Sequence, residues 1–173
     1  RADGETRFLF HLAGEPQSVG DYGCPQNLYL QVAFPAAQPE IHIDLQWFNK
    51  PATRLPEAIW LKFQPLVSPS AEWLLEKLGQ LVSPLDVIAN GNRHLHAVGC
   101  GITCKDHTSA LEIATLDAPL VAPGEPALLN FNNDQPDLSA GVHFNLYNNL
   151  WGTNFPMWLE GDCKFRFVLK FHA

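Results

Sequence analysis

Apolar and polar residues alternate in short runs along this chain, and each run is closed by Pro, Gly, Asn or Asp. In 40–48, Ile41, Ile43, Leu45 and Trp47 fall on one side while His42, Asp44 and Gln46 fall on the other, the period of two expected of a strand with one buried face. The same reading gives strands at 7–12, 28–34, 58–64, 94–98, 110–116, 142–147 and 164–171, the last with Phe165, Phe167, Leu169 and Phe171 on one face. Segment 71–82 fits a helical stripe (Trp73, Leu74, Leu78, Leu81) as well as an extended run, and we read it as extended. At least eight strands with no sustained helical period predict an all-β fold, a single antiparallel β-sandwich domain over residues 1–173. The 14 prolines fall along strand ends, where a missing N–H does least harm.

Composition narrows the function classes. A net charge of −7 with scattered basic residues would repel a phosphate backbone, which excludes nucleic acid as the expected partner. Pro, Asn, His or a charge interrupts every apolar run well before the roughly 20 residues of a membrane-spanning helix, so no membrane partner is expected. The chain opens on Arg1 and its only methionine is Met157, so the expectation is a processed chain or a fragment of a larger protein. Four cysteines, Cys24, Cys100, Cys104 and Cys163, suit either disulfides in a secreted setting or free thiols in a core. Cys100 and Cys104 are near enough in sequence to bridge a tight turn, although no Asn-x-Ser/Thr sequon accompanies them.

Two stretches could carry chemistry. Residues 130–158 hold seven asparagines and six aromatics. Amides can bond vicinal hydroxyls and an aromatic face can cover the C–H side of a sugar ring, so Asn148, Asn149, Trp151, Asn154 and Trp158 are candidate glycan contacts. Asn also serves turns, and Trp is more often core than platform. The second stretch, 90–96, runs from a turn into a strand and adds Asn92, Arg93, His94 and His96 as ligand candidates. If the two strands beside these stretches run antiparallel, their loops share an end, with Arg93 a donor and Trp151 a platform. On a strand His94 and His96 would lie roughly 7 Å apart on one face, and with Cys100 and Cys104 could hold zinc, though the usual ligand spacing is not met.

No nucleophile elbow, phosphate loop, His-Glu-x-x-His or dinucleotide fingerprint is present, so no catalytic residue is assigned. Carboxylates for a glycosidase are available at Asp44, Asp86, Asp106, Glu112, Asp117, Glu160 and Asp162, but sequence cannot bring a pair to the separation such chemistry requires.

Four segments carry a resemblance: NKPATRLPEAIWLKF at 49–63, GNRHLHAV at 91–98, LDAPLV at 116–121 and NLYNNLWGTNFPMW at 145–158. Together they resemble the C-terminal part of a family of bacterial and fungal proteins related to the α-mannosidases of glycoside hydrolase family 38. The resemblance spans about 40–167 and implies a β-sandwich of the mutarotase-like supersandwich type beside an upstream catalytic, metal-binding domain. That upstream domain has no counterpart in these residues, so hydrolase activity, catalytic carboxylates and zinc are carried over to none of them. The expected function is an accessory, non-catalytic domain of a secreted, carbohydrate-active protein, with a glycan or the catalytic domain as partner, possible self-association and no cofactor. Two rivals are a free-standing lectin-like protein and a small polysaccharide lyase or hydrolase.

Overall fold

The computed structural model describes residues 4–68, 70–129, 132–150 and 158–173. It is an antiparallel β-sandwich. The chain begins with β1 (Thr6–Ala13), a short helix α1 (Pro16–Tyr22), β2 (Asn27–Phe34), β3 (Glu40–Lys50) and β4 (Ala58–Phe63). It continues through β5 (Glu72–Lys77), β6 (Gln80–Val82), β7 (His96–Ala97), β8 (Gly101–Lys105), β9 (Ala110–Thr115) and β10 (Leu120–Pro123). A 3-10 turn (Leu138–Ala140) leads into β11 (Val142–Asn148), and β12 (Gly161–His172) ends the domain.

These strands form an eight-stranded sheet in the order β1-β2-β3-β12-β9-β8-β5-β6 and a four-stranded sheet in the order β4-β11-β10-β7. The chain passes from one sheet to the other repeatedly, so both layers must assemble together. Alternation decides what lies between them. Leu45 and Trp47 of β3, Phe165 and Phe167 of β12, Ile113 of β9, Ile102 of β8 and Leu75 of β5 face Val142, Phe144 and Leu146 of β11 and Val121 of β10. Phe167 closes the centre, its ring 5.3 Å from Phe63 and 5.1 Å from Phe144 between centroids. Tilted ring pairs of this kind add to the area each side chain buries.

The apolar row does not stop where the small sheet stops. Register places Phe8, Phe10 and Leu12 of β1 opposite Val32, Leu30 and Leu28 of β2, and those opposite Ile43, Leu45 and Trp47 of β3. All nine residues therefore share the core face, yet every residue of β1 is exposed and Phe8 and Phe10 retain 50% and 47% of their surface. The large sheet overhangs its cover.

Local signals explain the smaller elements. Segment 71–82 is extended, as β5 and β6, and folds back at Leu78 and Gly79, both with positive φ (53° and 82°), the backbone of a tight hairpin turn. Glu76 caps it by accepting from Gly79 N–H and also receives Cys100 N–H. Helix α1 lacks an apolar stripe, but Glu15 accepts from Ser18 N–H, a proline starts it and left-handed Gly23 ends it. The expected strand at 94–98 shrinks to two residues because Asn92 Oδ1 accepts from both His94 N–H and Leu95 N–H, turning the chain before it can join the sheet.

All four cysteines are free thiols. The Cys100–Cys104 bridge that their spacing allows is not formed, since the four steps from Cys100 into the extended β8 span roughly 13 Å, about twice the reach of a disulfide. Among the described residues no helix is long and apolar enough to cross a membrane.

Candidate functional site

Strand direction decides whether the two polar stretches meet. Val121 of β10 pairs with His96 on one side and Phe144 on the other, both antiparallel, so β7 and β11 run the same way. The loop before β7 thus lies at the start of β11, whereas the chain leaving β11 lies at the far end. The structure separates Asn92, Arg93, His94 and His96 from Asn148, Asn149 and Trp158, and the composite site expected from sequence is not formed. Trp151 and Asn154 lie outside the described residues.

At the far end the amides are tied to protein. Asn149 Oδ1 accepts from Glu57 N–H at 2.6 Å and its Nδ2–H donates to Leu55 C=O at 2.7 Å, which staples the segment before β4 to the end of β11. Asn148 donates to Asn145 Oδ1 and leaves its own Oδ1 buried without a partner. Beneath them lies a buried ion pair, Lys50 Nζ to Glu57 Oε1 at 2.7 Å, with the ammonium 5.0 Å from the Tyr147 ring centroid. Burial, with the Glu57 charge beside it, pushes the Tyr147 phenol up to about 12. Trp158 is partly exposed, but the Arg54 guanidinium stacks over its ring at 4.6 Å, so that face is covered.

At the near end the residues build a cleft of about 350 Å³ lined by His94, Gly124, Glu125, Asn132, Asp134, Gln135, Asp137 and Ala140. Arg93 is not free to meet a ligand there, since its guanidinium donates to the carbonyls of Leu85 and Val87. His96 is buried between the sheets, its Nε2–H donating to Arg93 C=O at 3.1 Å and its Nδ1 accepting from Lys77 Nζ at 3.2 Å. Burial first, then the Lys77 charge, lowers its protonation to about 4. His94, only 4% exposed, donates from Nε2 to Asn132 Oδ1 at 2.9 Å. The same oxygen accepts from Asp134 N–H, so it cannot be a donor and the His94 proton is fixed on Nε2. Its Nδ1 lone pair is buried without a donor.

Polar wiring holds the cleft walls. Asn133 Oδ1 accepts from Asn90 N–H and its Nδ2–H donates to Asn90 Oδ1, joining the loop before β7 to the segment before β11. Gly124 has φ 81°, and a Cβ there would come within 2.9 Å of the Asp137 carbonyl, so only glycine lets the two wall segments approach. Asp137 accepts from Ser139 N–H and Oγ–H, which hold its carboxyl below the usual range. Glu125, Asp134, Gln135 and Asp137 are not among the residues expected from sequence. The polar run at 132–137 was the available signal.

The zinc set is likewise dispersed. Cys100 is exposed, Cys104 is buried in the core with burial pushing its thiol up to about 11, and the two histidines are engaged as above. Among the described residues no three His, Cys, Asp or Glu side chains group around a common ion position. Several carboxylates are occupied structurally: Asp44 with Lys164, Asp117 with Arg166, Glu112 with Lys170, and Asp106 and Asp162 on backbone N–H groups. In comparisons with known proteins the chain matches no family model and no curated sequence.

Proposed function

We propose that this β-sandwich, of the supersandwich type, is an accessory, non-catalytic domain of a secreted, glycoside hydrolase-like protein, and that the overhanging end of its large sheet seats the catalytic neighbour. The observation that carries the reading is the uncovered row Phe8, Phe10 and Leu12, continued at its edge by exposed Phe34 and lying on the same face as the core. Contiguous apolar surface of this kind marks an interaction site, and interfaces between domains typically cover about 600–1,500 Å². The strip lies on an edge strand whose unpaired backbone groups also call for a cover. The resemblance at 49–63, 91–98, 116–121 and 145–158 supports the carbohydrate setting.

Hydrogen exchange tests the seat. The complete reading frame that carries this chain is expressed beside the 173-residue chain, and the amides of β1 and β2 are compared. Strong protection in the longer protein that is lost in the shorter one is the expected result. Equal exchange in both, or a reading frame with nothing to cover the strip, overturns the reading.

A further inference from the structure

The two sheets are offset, and the offset leaves an open backbone edge beside the apolar strip. Three contacts fix which strand of the small sheet lies there. Lys77 of β5 bonds His96 of β7, so β7 lies over β5. Further along, the Phe63 ring of β4 packs on Phe167 of β12 at 5.3 Å. Glu57, just before β4, pairs with Lys50 at the end of β3. Going from β7 to β4 therefore follows the large sheet from β5 to β12 and β3, and the cover ends at β4 with β2 and β1 beyond it. Among the described residues β4 pairs only with β11, so its outer row of N–H and C=O groups points into the space above β2 and β1.

We propose that two β-strands of the neighbouring domain fill this space, the first pairing with the free edge of β4 and both laying an apolar face on Phe8, Phe10, Leu12 and Phe34. The inference rests on the accessory reading above and names the way the neighbour docks. Each requirement comes from a different part of the site. The edge of β4 offers alternating peptide donors and acceptors, which another extended backbone matches in register. The floor is Phe8, Phe10 and Leu12, with Phe34 edge-on to Phe8 at 6.0 Å between centroids. No charged side chain shares that face of β1 and β2, so the strands lying on it alternate apolar and polar residues. Size sets their number. The floor beyond β3 is two strands wide and eight residues long, roughly 10 Å by 27 Å at ordinary strand spacing. Two added strands fill that width and bury roughly 500–600 Å² counting both partners, near the small end for contacts between domains. A single helix, about 10 Å across, fills the same width but leaves the β4 edge unpaired beneath it, which buried peptide groups do not tolerate.

Residue-resolved hydrogen exchange of the longer protein against the 173-residue chain tests the mode of docking. Along a strand, neighbouring amides point to opposite edges, so pairing with β11 protects only every second amide of β4. The remaining amides of 58–63 are expected to slow by roughly a hundredfold or more in the longer protein alone. Phe10→Lys in the longer protein places a charge in the floor and should return those amides to their rate in the isolated chain. The same substitution should leave the spectrum of the isolated chain unchanged outside β1 and β2, because Phe10 is exposed there. Protection of β1 and β2 without the new alternation in β4 overturns strand addition and leaves the accessory reading standing. Protection of neither overturns both. New protection of β4 that survives Phe10→Lys separates the edge from the floor and overturns the proposal. So does the same alternation in the isolated chain, growing with its concentration and no stronger in the longer protein, which makes a second copy the occupant.

Discussion

Phe167 and Phe10 lie on the same face of the same sheet, and their surroundings could hardly differ more. Phe167 is 1% exposed and touches Phe63 and Phe144 of the opposite layer, while Phe10 has its strand neighbours and water. Strand register puts both on the core face. What separates them is the width of the covering sheet: four strands cannot cap eight. Half-buried alternation thus identifies a face that wants a partner, and says nothing about whether the partner is in the chain.

The largest expected effect follows from the covered half. Phe167→Ala should cost about 3–5 kcal/mol in urea unfolding, from lost transfer energy and the cavity left among Phe63, Phe144 and the neighbouring strands. Phe10→Ala should cost below about 1 kcal/mol, since exposed positions lose little. Comparable losses at the two sites would break the comparison and mean that the β1 end is packed against something in the isolated chain.

Next comes the ion pair at the covered end. Lys50 and Glu57 have side chains only 1% and 7% exposed, so Lys50→Met leaves a buried carboxylate without its cation and should cost about 3 kcal/mol. Adding Glu57→Gln should recover part of that loss, because the orphaned charge is then gone. By contrast Lys105→Met, which breaks the exposed pair with Glu72, should change stability by about 0–1 kcal/mol. A Lys50→Met loss as small as the Lys105→Met loss would show that the pair is not desolvated.

How much of this was legible can be argued from three strands. β3 and β12 alternate cleanly, bury one face and were read nearly to their ends. β10, only four residues with a proline in it, carries too short a run to show a period, and sequence patterning does not predict it. That omission has a geometric consequence: with β10 inserted, β7 and β11 are two antiparallel steps apart and point the same way, so the parity of the missing strand moved the two polar loops to opposite ends. The asparagines were correctly seen as unusual. Their work in the described structure is to tie loops together, and nothing in an Asn distinguishes bonding a sugar from bonding a backbone carbonyl until the fold places one beside it.

His96 gives an effect of order 2–3 kcal/mol, and through pH rather than substitution. Its protonation in the folded state lies near 4, below the ordinary 6.5, so between those values the unfolded chain binds more protons than the folded one. Stability from keeping the ring neutral is fully present above about pH 6.5 and is lost as pH falls toward 4. Urea unfolding at pH 7.5 and pH 4.5 should show that loss, and His96→Gln, though less stable at pH 7.5, should show a shallower dependence. An unchanged slope in the variant would mean that other groups carry the acid sensitivity, and that the inter-sheet region around Lys77 and His96 is wetter than the core beside it.

The smallest stability change should come from the uncovered end, and it is the most telling for function. Replacing Phe8, Phe10 and Leu12 together by Ser removes three partly exposed apolar side chains from β1 without opening a cavity, so the unfolding free energy should move by about 1–2 kcal/mol at most, and by below about 1 kcal/mol for Phe10→Ser alone. Association should respond much more strongly. The unaltered chain presents an apolar row on an edge strand and should self-associate as concentration rises, read as a growing weight-average mass in sedimentation velocity. The triple variant should stay monomeric over the same range. If both stay monomeric, the strip is not adhesive and the docking seat loses its main support. If instead the variant unfolds, β1 and β2 are held by those side chains more firmly than their exposure implies, and the contrast between Phe10 and Phe167 is one of degree.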